Sequence, residues 1–170
     1  MAAKAVDAPA ALCSLVLMSV TQPALEIVAA TPADVGEVAP LFDSYRQFYR
    51  KPSDVEAARR FLFARLSKDE SVLFFARHEG RAVGFVHLYP AFSSLELRRL
   101  WILNDLYVVP EARKLGVGRA LTEHARQLGE ATRANCLTLE TASDNAPAQR
   151  LYESLGWKRE QEFYRYVLPL

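Results

Sequence analysis

From Leu25 onward the chain alternates between short β-rich runs and longer helical stretches. Leu25 to Ala29 predicts a first strand. Thr31-Pro32-Ala33-Asp34 predicts a helix start, with a capping hydroxyl, a proline in the first turn and an acid three residues on. That helix runs to about Phe48, and Pro52 with the capping box Ser53-Asp54-Val55-Glu56 opens a second one that ends near Lys68. Ser71 to Arg77 and Arg81 to Tyr89 flank Glu79-Gly80 as a hairpin, followed by a loop around Ser93-Ser94. Leu97 to Val109 is a long β-rich run closed by Pro110. A helix fills Gly116 to about Thr132, with Val117, Leu121, Ala125 and Leu128 on one face. Cys136 to Thr141 predicts another strand, Ala146 to Leu155 a short helix capped by Gly156, and alternation returns in Phe163 to Leu168. No internal repeat or linker interrupts the pattern.

Composition narrows the class. With 170 residues and 51% hydrophobic content the chain can bury one sizeable core but hardly two. A formal charge of +1 supplies no global electrostatic reason to expect a nucleic-acid or membrane partner. Cys13 and Cys136 lack the spacing and number for a disulfide framework or a structural zinc site, so a reducing, cytoplasmic setting is expected. The N-terminus carries no charge between Asp7 and Glu26, and Ala10 to Met18 is apolar apart from Ser14. A spanning helix needs about 20 mostly apolar residues, and Pro9, Ser19, Thr21, Gln22 and Pro23 interrupt this run. A signal peptide is the minority reading, because the leading region offers only Lys4 against Asp7 and no convincing small-residue cleavage site follows. Residues 1–24 are therefore read as an N-terminal extension, disordered or upstream of a natural start at Met18.

The stretch Val108-Val109-Pro110-Glu111-Ala112-Arg113-Lys114-Leu115-Gly116-Val117-Gly118-Arg119-Ala120-Leu121 carries the most chemistry. It runs from a strand through a glycine-rich loop into an amphipathic helix, and the unpaired N–H groups of such a helix start attract anions. Gly116 and Gly118 are expected to let a phosphate reach the backbone, with Arg113, Lys114 and Arg119 adding positive charge. A P-loop would need Gly-Lys-Ser/Thr here and a dinucleotide fingerprint a third spaced glycine, and neither is present. Taken alone, the loop is equally a glycine turn before an ordinary surface helix.

A second stretch lies downstream, Ala142-Ser143-Asp144-Asn145-Ala146-Pro147-Ala148-Gln149-Arg150-Leu151-Tyr152-Glu153-Ser154-Leu155-Gly156-Trp157. Arg113-x-x-Gly116-x-Gly118 after a strand resembles the acyl-CoA pyrophosphate signature of the GCN5-related N-acetyltransferases, and this second stretch is similar to another motif of that family. The resemblance covers about Leu25 to Leu170, most specifically Leu103 to Trp157. Leu103-Asn104-Asp105-Leu106-Tyr107-Val108 looks most like the branch holding histone, polyamine and D-amino-acid acetyltransferases. The resemblance implies an α+β, three-layer fold with a mixed, mostly antiparallel sheet that splays between the strand ending at Val108 and the strand Cys136 to Thr141. It makes residues 25–170 an N-acetyltransferase domain.

The same resemblance implies acetyl-CoA as cosubstrate, without a metal. Backbone groups of Leu106, Tyr107 and Val108 would pair with the pantetheine, and Arg113 with the amides of Lys114, Leu115, Gly116, Val117, Gly118 and Arg119 would hold the pyrophosphate. Asn145 would lie near the pantetheine and Tyr152 would be the general acid, a phenol able to protonate a departing thiolate. Read without the motif, Asn145 is a helix N-cap and Tyr152 a core tyrosine on the stripe of Ala148, Leu151 and Leu155. A homodimer through the C-terminal strands is also implied.

The acceptor amine needs a base. Many relatives carry a Glu where this chain has Asn104, which cannot act as one, and alternation sends Asp105 to the opposite face unless a bulge intervenes. Asp105 and a water relay therefore stand open. Asp43, Tyr45, Tyr49, Glu56 and Glu96 offer acids and aromatics suited to a cationic acceptor, or form a solvated face. His78, His87 and His124 show no metal-ligand spacing and are given packing or surface roles, and Cys136 that of a buried small residue. The expected reaction is direct acetyl transfer to a primary amine of a polyamine, an amino-acid-like molecule or a protein lysine. The rival is a non-catalytic acyl-CoA sensor or interaction domain, motivated by Asn104.

Overall fold

The computed structural model describes residues 25–170. The N-terminal extension, with its apolar run, Cys13 and the Met18 start, lies outside the described residues. Thr31 Oγ1 accepts the Ala33 N–H at 3.3 Å and the Asp34 carboxylate accepts the Thr31 N–H at 2.8 Å. This reciprocal cap turns the chain out of β1 (Glu26–Ala29) into α1 (Val35–Phe48). The cap of α2 (Val55–Ser67) lies one residue later than the pattern predicts. Asp54 accepts the Ala57 N–H at 2.8 Å, because Ser53 instead donates its hydroxyl to Asp43 at 2.7 Å.

Then follow β2 (Val72–His78), β3 (Arg81–Ser93), β4 (Arg98–Val108), α3 (Val117–Ala131), β5 (Leu137–Leu139) and α4 (Ala146–Ser154). The strands lie in the order β1-β2-β3-β4-β5, all antiparallel except the parallel pair β4–β5. Val38 and Phe42 of α1 and Leu62 of α2 pack with Leu73, Phe75 and Phe85 on one face of the sheet. On the other face Val117, Leu121 and Ala125 of α3 pack with Val86, Leu88, Trp101 and Leu103. The result is the three-layer α+β arrangement with a mixed sheet. No helix among the described residues is long and apolar enough to cross a membrane.

Three expectations fail where a segment depends on a partner. β3 runs past Tyr89 to Ser93 because β4 pairs with it through Ser93↔Arg98, so the expected loop is the tip of a long hairpin. β5 is only three residues long, and Cys136, expected to be buried, precedes it as an exposed free thiol. Phe163 to Leu168 forms no strand, and its apolar side chains are exposed. Alternation makes a strand only when an edge is available to pair with. The tie of this segment to β5's end is instead an Arg165–Glu140 ion pair, and the expected dimer contact therefore falls on irregular chain.

Asp43 of α1 fastens the junction of α1 and α2. Its carboxylate is only 2% exposed. It accepts hydrogen bonds from the Asp54 N–H at 2.8 Å, Ser53 at 2.7 Å, Gln47 at 2.8 Å and Arg46 at 3.3 Å. Burial pushes the carboxyl up, but these donors outweigh it and hold it below the usual carboxylate range. Asp43→Ala should lower stability by about 3 kcal/mol at pH 7, since it strands the buried donors. A depressed folded value means that Asp43's contribution is present above the unfolded carboxyl value and is lost as pH falls through the folded one. Urea titrations should accordingly find the gap between wild type and Asp43→Ala closing in acid, and a gap independent of pH would contradict the assignment.

Candidate active site

The β3–β4 ladder is not regular. His87 opposes Asp105 and Leu88 opposes Leu103, so Asn104 is an extra residue, a bulge. The bulge reverses the parity of β4. Trp101 and Leu103 point to the α3 face, whereas Asp105 and Tyr107 point to the α1–α2 face with His87 and Phe85. Asp105 therefore occupies the ground that alternation denied it.

The parallel ladder to β5 stops at Leu103↔Leu139, and no described strand pairs with β4 beyond that point on this side. The strands splay there. The Val109 N–H donates to the Val83 carbonyl at 3.0 Å, and since antiparallel pairing alternates, Tyr107 also turns its backbone groups toward β3. Leu106 and Val108 turn theirs into the cleft, where the Val108 carbonyl accepts from Arg113 Nε at 3.2 Å. Tyr107 thus presents its ring, beside Tyr45, rather than its backbone.

The loop continues from this edge. Gly116 sits at φ 81° and caps α3 in the left-handed region, with open space where a Cβ would stand. The first helical bond runs from the Ala120 N–H to the Gly116 carbonyl at 3.0 Å, which leaves the amides of Val117, Gly118 and Arg119 at the helix mouth. Lys114 and Leu115 are exposed, whereas Val117 is buried and anchors the turn. At Gly118 a Cβ would meet Leu151 Cδ2 at 3.2 Å, so the missing side chain admits α4. Arg119 reaches the same helix, donating to Ser154 Oγ at 2.9 Å.

Asn145 caps α4, accepting the Ala148 N–H at 3.4 Å and donating to Thr141 Oγ1 at 3.3 Å. Tyr152 is 9% exposed and its ring packs on Trp157. Burial first, and Tyr49 second, push its phenol up to about 12, so it keeps its proton at neutral pH. Tyr45 lies between the two candidate proton carriers, its phenol pushed up by burial and by the Asp105 carboxylate, with smaller contributions from Tyr49 and Tyr152. Aromatic contacts connect Tyr45 with Tyr49, Phe85 and Tyr107.

A cleft of about 490 Å³ opens between the end of α1 and the start of α4, lined by Phe48, Tyr49, Arg50, Ala142, Asp144, Asn145 and Pro147. Of the acceptor candidates, Tyr45 and Tyr49 border this region. Asp43 is consumed by the α1–α2 junction, Glu56 pairs with Arg59 at 3.2 Å, and Glu96 lies at the hairpin tip. A larger hollow of about 590 Å³ over the β2–β3 turn is lined by Glu37, Arg77 and Arg81 and includes no expected site residue.

Two contributors escaped sequence reasoning. His87, given a packing role, is bonded to Asp105 and Ser71. Gly84 carries no local motif, yet a Cβ there would stand 2.7 Å from the Tyr107 carbonyl oxygen and 3.2 Å from Val108 and Val117 side chains. Its absence lets β3 pair closely with β4 along the side opposite the free edge.

The structure is thus a three-layer fold whose mixed sheet parts beside the open N-terminus of a helix. A profile described as the acetyltransferase (GNAT) family matches residues 38–157, and the chain belongs to that family. It is similar to an uncharacterized N-acetyltransferase, YhfO, of Bacillus subtilis (strain 168), with 44% identity over 144 residues that cover 85% of this chain and 97% of that one. It is also similar to the D-amino-acid N-acetyltransferase HPA3 of Saccharomyces cerevisiae (strain ATCC 204508 / S288c), 29% identical over 82% of this chain and 88% of that one. A crystal structure of a probable acetyltransferase superposes with a TM-score of 0.81 at 46% identity, covering 85% of this chain and 97% of that one. The protein is an N-acetyltransferase by family.

Gly84→Ala tests how the cleft edge is built. The added methyl should push β4 outward, lower stability by about 1–3 kcal/mol and weaken acetyl-CoA binding in calorimetry. Unchanged affinity would mean that the edge of β4 does not hold the cosubstrate.

Proposed function

We propose that residues 25–170 transfer an acetyl group directly from acetyl-CoA to a primary amine, with Tyr152 as general acid and Asp105 as general base. The observation that carries this reading is the edge of β4 from Asn104 to Val108 that faces away from β3, which pairs with no described strand and leads straight into the amides at the start of α3. The outward backbone groups of Leu106 and Val108 would bind the pantetheine as a neighbouring strand does. Arg113 and the amides from Lys114 to Arg119 would hold the pyrophosphate. Gly116 fits that role, since the space beside its backbone is open.

Asp105, directly or through one water, takes a proton from the acceptor ammonium, and the free amine attacks the thioester carbonyl. The new C–N bond forms as the C–S bond breaks. Tyr152 donates its phenolic proton to the departing sulfur, a role supported by burial that keeps the phenol protonated, and the nitrogen's second proton leaves to solvent, from which the phenol is restored. The bulge weighs against the sensor reading, since it sets an acid, Asp105, on the α1–α2 face next to Asn104.

For the acceptor, the cleft between α1 and α4 sets the aromatic rings of Phe48 and Tyr49 beside a cation, Arg50, and an anion, Asp144. This suits an amine that also carries a carboxylate, as an amino acid does, and a D-amino-acid N-acetyltransferase is among the similar proteins. The test combines acetyl-CoA calorimetry with CoA release over a panel of D- and L-amino acids, polyamines and lysine peptides. Release that depends on amino acids is expected, and release confined to polyamines or peptides would overturn the acceptor assignment. Tyr152→Phe should lower kcat about 100-fold while leaving acetyl-CoA affinity unchanged. Undiminished turnover would remove Tyr152 from its role.

A further inference from the structure

Behind Asp105 lies a buried polar chain that acetyl transfer as derived so far does not use. His87 on β3 is fully buried, its Nδ1 3.2 Å from Asp105 Oδ2 and its Nε2 2.7 Å from Ser71 Oγ. Asp105 and Ser71 are each 6% exposed. Burying three polar side chains against an apolar core is costly unless each is hydrogen-bonded. The pairing fits one tautomer. With the carboxylate as acceptor, Nδ1 carries the proton. The Nε2 of a neutral ring is then an acceptor, and the Ser71 hydroxyl donates to it.

The same three residue types form nucleophilic triads in hydrolases, but Ser71 cannot serve as a nucleophile on the thioester. It precedes β2, two strand spacings from β4, or about 10 Å from the free edge. The chain must therefore act through Asp105. We propose that His87 and Ser71 are positioning residues for acetyl transfer, Ser71 fixing the imidazole tautomer and the His87 Nδ1–H fastening Asp105 through Oδ2, so that Oδ1 receives the acceptor's proton. Asn104 Nδ2 donates to that Oδ1 at 3.1 Å from the bulge, so each carboxylate oxygen has its own donor, Oδ2 from β3 and Oδ1 from β4.

The surroundings favour this division. Phe42 of α1 meets the His87 ring edge-on and Tyr89 lies against it with ring centroids 4.7 Å apart. The titratable and charged groups nearby are Tyr45 on α1, Tyr89 on β3, and Arg65 and Glu70 at the end of α2 and just beyond, which pair with each other. Burial pushes the Tyr45 phenol up and, together with Asp105, that of Tyr89 to about 12, so both stay neutral where the base must work.

The inference rests on the reading of Asp105 as the base, and the experiment separates the two. Nitrogen-15 NMR of the wild-type imidazoles should show His87 as the Nδ1–H tautomer, and an Nε2–H tautomer would overturn the proposal whatever the acceptor. With acetyl-CoA and the amines of the panel above, kcat/KM is then followed against pH. Removing the donor from Asp105 favours its protonated form, so His87→Leu should move the acid limb up by about one pH unit and cut kcat/KM about tenfold below it. His87→Asn keeps a donor near the Nδ1 position and should recover most of that loss. Ser71→Ala should move the limb in the same direction and Ser71→Thr restore it, with acetyl-CoA affinity unchanged throughout as the check on folding. If Asp105→Asn abolishes the acid limb while His87→Leu and Ser71→Ala leave it in place, the base stands and the positioning proposal falls. If Asp105→Asn itself leaves the limb unaltered, the base reading fails first.

Discussion

One extra residue in β4 determines what this site can do. Without the bulge at Asn104, strict alternation would turn Asp105 toward α3 and into a face built from Leu88, Trp101, Leu103 and Leu121. An ionised carboxylate there would be stranded among apolar side chains, a cost of several kcal/mol. The bulge moves it to the opposite face, beside His87 and Tyr45, where donors await it. It also bends the strand where its ladder to β5 ends. The placement of an acid and the opening of the cleft thus share one cause.

A sheet that opens in its interior leaves backbone N–H and C=O groups without their usual partners, and such groups are costly when shielded from water. The surrounding sequence accommodates this instead of closing it. Gly84 brings β3 close against the exposed stretch, Val117 buries itself under the turn, and Gly116 takes the left-handed conformation that starts α3 beside it. Gly118 leaves room for Leu151 and so lets α4 lie against α3. The glycines that look alike in the motif do different work. One bends the chain and the other lets two helices touch.

The two buried aspartates differ in how their carboxylates are partnered. Asp43 is saturated by four donors from α1, Ser53 and the Asp54 backbone, and its charge is committed to joining two helices. Asp105 has fewer donors, arranged to either side of its carboxylate, and it stands at the junction of three strands beside a row of tyrosines. Burial alone does not distinguish them; the number and direction of their hydrogen bonds does.

Much of this protein was legible in the residues themselves. The order of elements, the Thr31 cap, the proline that closes β4 and the glycine turn into α3 depend on neighbours within a few positions, and local sequence carries such information directly. The helix that Asn145 caps was recognisable for the same reason. Other features were settled only by the assembled fold. His87 meets residues 16 and 18 positions away, the parity of β4 depends on its register with β3, and Phe163 to Leu168 alternates correctly yet finds no edge to join. Alternation along a strand states which residues share a face, but the facing strand decides which face that is and whether a strand forms at all, because its hydrogen bonds are made with another part of the chain.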